Sequence, residues 1–257
     1  MKSKSVIAVI TLLILSAGPA LAGLKAVDKE GGITLISDGK FKHVSPEDGM
    51  STISDSQKGT ITIINEREKT YASGKPQDFC KGMKEMMDSV REMMDAAMAD
   101  IPPEQRAMME EMMKQSTPTS PAKKPSVSIK KAGKGGKVAG WDTDKYEVFV
   151  DGKLYEALWL VTHSTILKEL AKMDFKIFQE FSSCAASQDG GGYDPENSPE
   201  YIKLMQEGLE VKTVSRGPVE QDSSDTVSLE KKDIPDSEFR VSADFRKVSI
   251  MEIFSME

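Results

Sequence analysis

The stretch Tyr146-Glu147-Val148-Phe149-Val150-Asp151-Gly152-Lys153-Leu154-Tyr155-Glu156-Ala157-Leu158-Trp159-Leu160-Val161 carries the strongest hairpin signal in the chain. Asp-Gly suits a two-residue type I′ turn, in which both central residues take positive φ, and here it stands between two runs rich in β-branched and aromatic residues. Two long antiparallel strands are therefore predicted to meet at Asp151-Gly152. The same reading extends in both directions. Ile33 to Ile36, the turn signal Asp38-Gly39, Phe41 to Val44, Thr60 to Ile64 and Thr70-Tyr71 read as short strands. Leu209 to Ser215, Thr226 to Lys231 and Arg246 to Phe254 read as closing strands.

Between the strand groups the apolar period changes from two to three and four. Asp78 is a predicted cap for a helix starting at Phe79, with Met83, Met87, Val90, Met94, Met98 and Ile101 on one face and charged residues on the other. Pro102-Pro103 ends that helix, and Glu104 to Gln115 is expected to return as the second arm of a helical hairpin. The insertion thus covers about 79–115, followed by a Lys/Pro/Gly-rich linker at about 116–137, of which Val127 to Lys131 suits a lysine-protected edge strand. A second amphipathic helix, capped by Ser164 or Thr165, carries Leu167, Leu170, Ala171, Phe175, Phe178 and Phe181. A short helix starts at Ser198-Pro199-Glu200 and ends at Gly208.

The 257 residues are 39% hydrophobic and 29% charged, the composition of a globular chain, and the net charge of −7 argues against a nucleic-acid partner. Residues 1–22 read as a secretory signal peptide. Lys2 and Lys4 precede the apolar run Val6 to Leu15, and Ala20-Leu21-Ala22 is a small-x-small cleavage site. Leu24 stands where a lipidated cysteine is expected, so a soluble periplasmic protein without a transmembrane segment in its mature form is predicted. Only two of the 34 basic residues leave with the leader, so 32 face all 41 acids in residues 23–257, which we read as a single domain. In an oxidising compartment Cys80 and Cys184 are expected to pair, the alternative being two separate buried thiols.

Catalytic chemistry has few candidates. His43 and His163 sit beside predicted strands without a nucleophile signature, and Gly133-x-Gly-Gly lacks the strand and helix of a phosphate loop. Asp189 to Asn197 lacks the alternating ligands and terminal Glu of an EF-hand and reads as a surface loop. We expect no catalytic group, no cofactor and no metal ligand set. Ten of the sixteen methionines fall between Met83 and Met113. Thioether sulfur suits Cu(I), which makes a copper-binding protein one reading. Helical spacing favours packing, or an adaptable apolar surface for a ligand or an envelope partner.

Several segments in order resemble an uncharacterised bacterial envelope family, a domain of unknown function whose members look like Lol-type lipoprotein carriers. They are Lys69-Thr70-Tyr71, the Met-rich helix running into Ile101-Pro102-Pro103-Glu104-Gln105-Arg106, Val138-Ala139-Gly140-Trp141, Lys145-Tyr146-Glu147-Val148, Val150-Asp151-Gly152-Lys153 and Glu156-Ala157-Leu158-Trp159. The resemblance implies an α+β fold, a curved antiparallel sheet forming an incomplete β-barrel, with the helices across its concave face. On that scaffold the expected function is non-enzymatic binding of a lipid or lipoprotein acyl chain. Phe149, Leu158, Trp159 and Leu160 would come from the sheet, with Met83, Met87, Met94 and Met98 from a helical lid.

Overall fold

A computed structural model describes residues 22–99, 125–188, 194–216 and 224–254. Apart from Ala22, which opens the first strand, the expected leader lies outside the described residues, as does the second arm of the helical hairpin.

The first six strands are β1 Ala22–Asp28, β2 Ile33–Ser37, β3 Lys40–Ser45, β4 Met50–Asp55, β5 Thr60–Asn65 and β6 Thr70–Gly74. Helix α1 spans Pro76–Ala99. Strands β7 Val127–Val138, β8 Trp141–Val150 and β9 Lys153–Val161 follow, then α2 Ser164–Leu170 and α3 Phe175–Gln188. A 3-10 turn at Pro195–Asn197 leads into α4 Pro199–Glu207. The chain closes with β10 Leu209–Ser215, β11 Thr226–Asp233, β12 Arg246–Lys247 and α5 Ile250–Phe254.

Two sheets result. One runs β11-β1-β2-β3-β4-β5-β6-β12, antiparallel except for the parallel β6–β12 pair, and the other runs β10-β9-β8-β7. A β-bridge, Lys212 to Asp225, joins them, where the Thr213 N–H donates to the Ser224 carbonyl at 2.9 Å, and the Trp141 indole N–H of β8 donates to the Leu229 carbonyl of β11 at 2.8 Å. No closed barrel forms among the described residues. The architecture is thus α+β with large antiparallel sheets. The Asp151-Gly152 hairpin is as expected. Val150 pairs with Lys153, and the two turn residues have φ of 49° and 77°.

Several boundaries differ from the sequence reading. Helix α1 starts three residues early because Pro76 needs no N–H at a first helical position, and the Asp78 carboxylate reaches back to accept the Lys75 N–H at 2.8 Å. The expected linker is strand from Val127 onward. Register shifts at Lys131/Gly133 and Lys134/Gly136 let this glycine-rich segment stay paired to β8. The single helix expected after Ser164 is two, α2 and α3, and α2 is capped by His163, whose Nδ1 accepts from the Thr165 N–H. The last predicted strand is two residues of β12 and then α5, since the Ser249 hydroxyl accepts the Glu252 N–H at 3.0 Å and turns the chain into a helix. Strands β1 and β4 were not anticipated. The run Met50-Ser51-Thr52-Ile53-Ser54-Asp55 has too few apolar residues to declare itself, and it is held by partners on both sides.

Apolar side chains gather in three clusters. Ile61, Ile63 and Ala72 of the large sheet pack against Phe79 and Met83 of α1, Ile177 of α3 and Ile253 of α5. Leu24, Ile36, Val161, Val211 and Leu229 pack against Ile166 and Leu170 of α2. Tyr146, Val148, Leu158 and Leu160 pack against Tyr201 and Leu204 of α4. Helices therefore lie on both sheets. The first cluster is cross-linked by the expected disulfide, Cys80 to Cys184, which joins α1 to α3 with Cα atoms 5.1 Å apart.

Candidate functional site

A cavity of about 430 Å³ opens between the large sheet and helices α2, α3 and α4. Its floor is Ile36 and Phe41, which face each other across the β2–β3 ladder, and its walls include Leu170, Phe178, Tyr201 and Met205. Phe178 meets Phe41 edge to face, with ring centroids 5.3 Å apart, which fixes the position of α3 over the sheet. On the other side α4 is placed by a cap at each end. The Ser198 hydroxyl accepts the Tyr201 N–H at 3.2 Å, and Gly208 ends the helix where a Cβ would meet both the Leu160 side chain and the Val161 carbonyl at 3.0 Å. A side chain at this position would be crowded, so glycine eases the direct run of α4 into β10.

One end of this cavity is acidic. Glu196 from the 3-10 turn and Glu210 from β10 line it, and no lysine or arginine among the described residues does. Burial pushes the Glu210 carboxyl up, against a hydrogen bond from the Thr213 hydroxyl that favours its charged form. Beside Tyr201, on β9, stands Glu156, only 3% exposed, with no hydrogen-bond partner on its Oε1. Its carboxyl is pushed up to about 8, first by burial and then by the charges of Glu196 and Glu210, while the Tyr201 hydroxyl pulls the other way. The Tyr201 hydroxyl is itself driven upward by burial and by the surrounding carboxylates. A buried acid at this position is neutral at pH 7 and able to donate a hydrogen bond.

None of the eight expected ligand-binding residues lines this cavity, and they do not gather at one place. Met83 is buried in the core beneath α1, whereas Met87 and Met94 are exposed at 37% and 42%, and Met98 is partly exposed farther along the helix. Leu158 and Leu160 are fully buried under α4. Trp159, one residue out of phase, faces the other way. Its indole N–H donates to the Gly135 carbonyl at 3.1 Å, and Lys145 and Lys212 lie over its ring. Phe149 is covered by Lys130, 4.7 Å from its ring centre. Met83, Leu158 and Leu160 belong to the packed core, whereas the outer half of α1 does not. Its apolar stripe of Met87, Val90 and Met94 is exposed.

The cavity walls were partly legible, since Leu170, Phe175 and Phe178 stood on one predicted helical face. The acidic end was missed, although a signal exists. Glu156 has the same parity as Leu158 and Leu160 in a strand, which points a charged residue to the buried face. Neither histidine stands at the cavity: His43 Nδ1 is 3.0 Å from the Thr34 hydroxyl across β2–β3, and His163 caps α2. No group of three or more His, Cys, Asp or Glu among the described residues has the arrangement of a metal site. No helix among them is long and apolar enough to cross a membrane. No curated protein matches the chain. A family model does match, over residues 49–245, and on that extent the chain belongs to the family described as Domain of unknown function (DUF4412).

Proposed function

We propose that this is a non-enzymatic periplasmic protein that holds an apolar ligand, a lipid or the acyl portion of a lipoprotein, in the cavity between the large sheet and α2–α4. The observation that carries the reading is the cavity itself. Its volume of about 430 Å³ falls within the roughly 300–1,000 Å³ of small-ligand sites, and its lining is mainly aliphatic, aromatic and thioether with a few polar side chains, Gln179, Ser182, Asn197, Glu196 and Glu210. The scaffold we envisage is a curved, incomplete barrel of the Lol-carrier kind, with the bridge at Lys212 and Asp225 continuing one sheet into the other. The disulfide and the leader-like first residues favour an exported protein.

The test is lipid extraction and mass spectrometry of protein purified from its native envelope, with binding of the neutral dye phenylnaphthylamine measured in parallel. Wild type is expected to carry an amphiphile and to bind the dye. Met205→Trp and Ile202→Trp, which fill the cavity, are expected to lose both while remaining folded. Absence of amphiphile and of dye binding would end this reading.

A second reading, an interaction module, is favoured by the exposed Met87, Val90 and Met94 on α1, because an apolar helix stripe rimmed by charge is the form of a docking surface. Its test is crosslinking in cells. An envelope partner captured by wild type and lost on replacing these three residues by serine would support it, and identical capture by both would reject it.

A further inference from the structure

We propose that the ligand of the α2–α4 cavity is an amphiphile with a cationic end, an alkylammonium group facing Glu196 and Glu210, rather than one ending in a carboxylate or phosphate. The proposal rests on the cavity reading above and names the chemistry of the ligand's head. The cavity is apolar through most of its length and turns acidic at one end. The two carboxylates there have no lysine or arginine among the described lining residues to balance them. Asp194, whose carboxylate accepts the Glu196 N–H and the Asn197 amide, each at 2.9 Å, adds negative charge beside Glu196 rather than balancing it.

A third carboxyl, Glu156, lies behind Tyr201 with an oxygen that nothing in the described protein satisfies, at 3% exposure. A buried polar atom without a partner costs free energy, and like charges brought together in a partly dry site cost more. An anionic head would add a further negative charge to this end. An alkylammonium head supplies the missing positive charge and three N–H donors, while its chain occupies the apolar remainder. Burial displaces the Glu156 and Glu210 carboxyls upward, and for Glu156 the charges of Glu196 and Glu210 add to it.

The experiment compares dodecylamine, dodecanol and dodecanoate, equal in chain and different only in head, as competitors of phenylnaphthylamine on the full protein below their micellar concentrations. Dodecylamine is expected to displace the dye at concentrations at least about tenfold below the other two, and Met205→Trp to abolish displacement by all three. In the double variant Glu196→Gln, Glu210→Gln, the amine's advantage is expected to shrink to within about twofold, with dodecanol unchanged. Both substitutions remove like-charge repulsion, so the fold is retained, and retention is checked by circular dichroism. Dodecanol or dodecanoate displacing as well as the amine would overturn the cationic head alone, as would an amine preference that survives the double variant. Failure of all three to bind wild type would overturn the cavity reading and this one with it.

Discussion

Replacing Glu156 by glutamine isolates the energetic cost of the acidic end. Glutamine preserves the shape of the side chain and its reach toward Tyr201 but removes the ionisation. The carboxyl titrates at about 8 in the folded protein against 4.5 ordinarily. Between those values the native state holds a proton that the unfolded chain has released, so wild-type stability falls as pH rises, by about 1.4 kcal/mol per pH unit at most. The fall begins near the unfolded value and levels off above the folded one. Integrated from pH 5 to pH 7, the loss is about 2.5 kcal/mol. Urea unfolding with the disulfide intact, followed by circular dichroism at pH 5, 6, 7 and 8, reads the difference. Wild type should lose roughly 2–3 kcal/mol more than Glu156→Gln between pH 5 and 7. Equal slopes for the two proteins would refute the claim that burial keeps this carboxyl protonated.

Replacing Cys80 and Cys184 by alanine opens a link across a sequence separation of 104, and a loss of about 2–5 kcal/mol in urea unfolding is expected, matched by wild type in reductant. Leu158→Ala, at a fully buried position, should cost about 3–4 kcal/mol, whereas Met93→Ala, at 70% exposure, should stay within about 0.5 kcal/mol by the same assay. Asp144→Asn breaks contacts to Lys131 and Lys134, both at 2.8 Å and both with exposed ammonium groups, so about 1 kcal/mol is expected at neutral pH. Hydrogen bonds from those lysines hold the Asp144 carboxyl below its ordinary range. That contribution is therefore present above the ordinary carboxylate range and lost as pH falls through the lower folded value, a dependence that thermal unfolding against pH would show.

Local chemistry made much of the architecture legible. Asp151-Gly152 specified its hairpin because only residues tolerant of positive φ fit a type I′ turn, and Ser198-Pro199 with Gly208 bounded α4 because caps and helix ends satisfy backbone groups close in sequence. The pairing of Cys80 with Cys184 was arithmetically favoured by there being just two cysteines, on the expectation of an oxidising compartment. What escaped the sequence depended on neighbours far along the chain. Strand β4 is held by β3 and β5 rather than by its own composition, and the glycine-rich end of β7 is strand because β8 provides partners across its bulges. The short α5 exists because Ser249 caps it and Phe254 has Phe79 to pack against, with ring centroids 6.4 Å apart.

The site divides in the same way. Periodicity alone placed Leu170, Phe175 and Phe178 on one helical face and set ten methionines in one region of the chain, since each depends on residues a turn apart. It did not say which apolar face would be covered. Only the tertiary structure decided that the first turns of α1 are buried against the large sheet while Met87, Val90 and Met94 are exposed, and that the cavity lies under α3 and α4 instead. It also brought together Glu156, Glu196 and Glu210, from β9, the 3-10 turn and β10. The physical reason is that burial and like-charge repulsion are properties of the space around a group, set by elements that meet only when the sheets and helices close on one another.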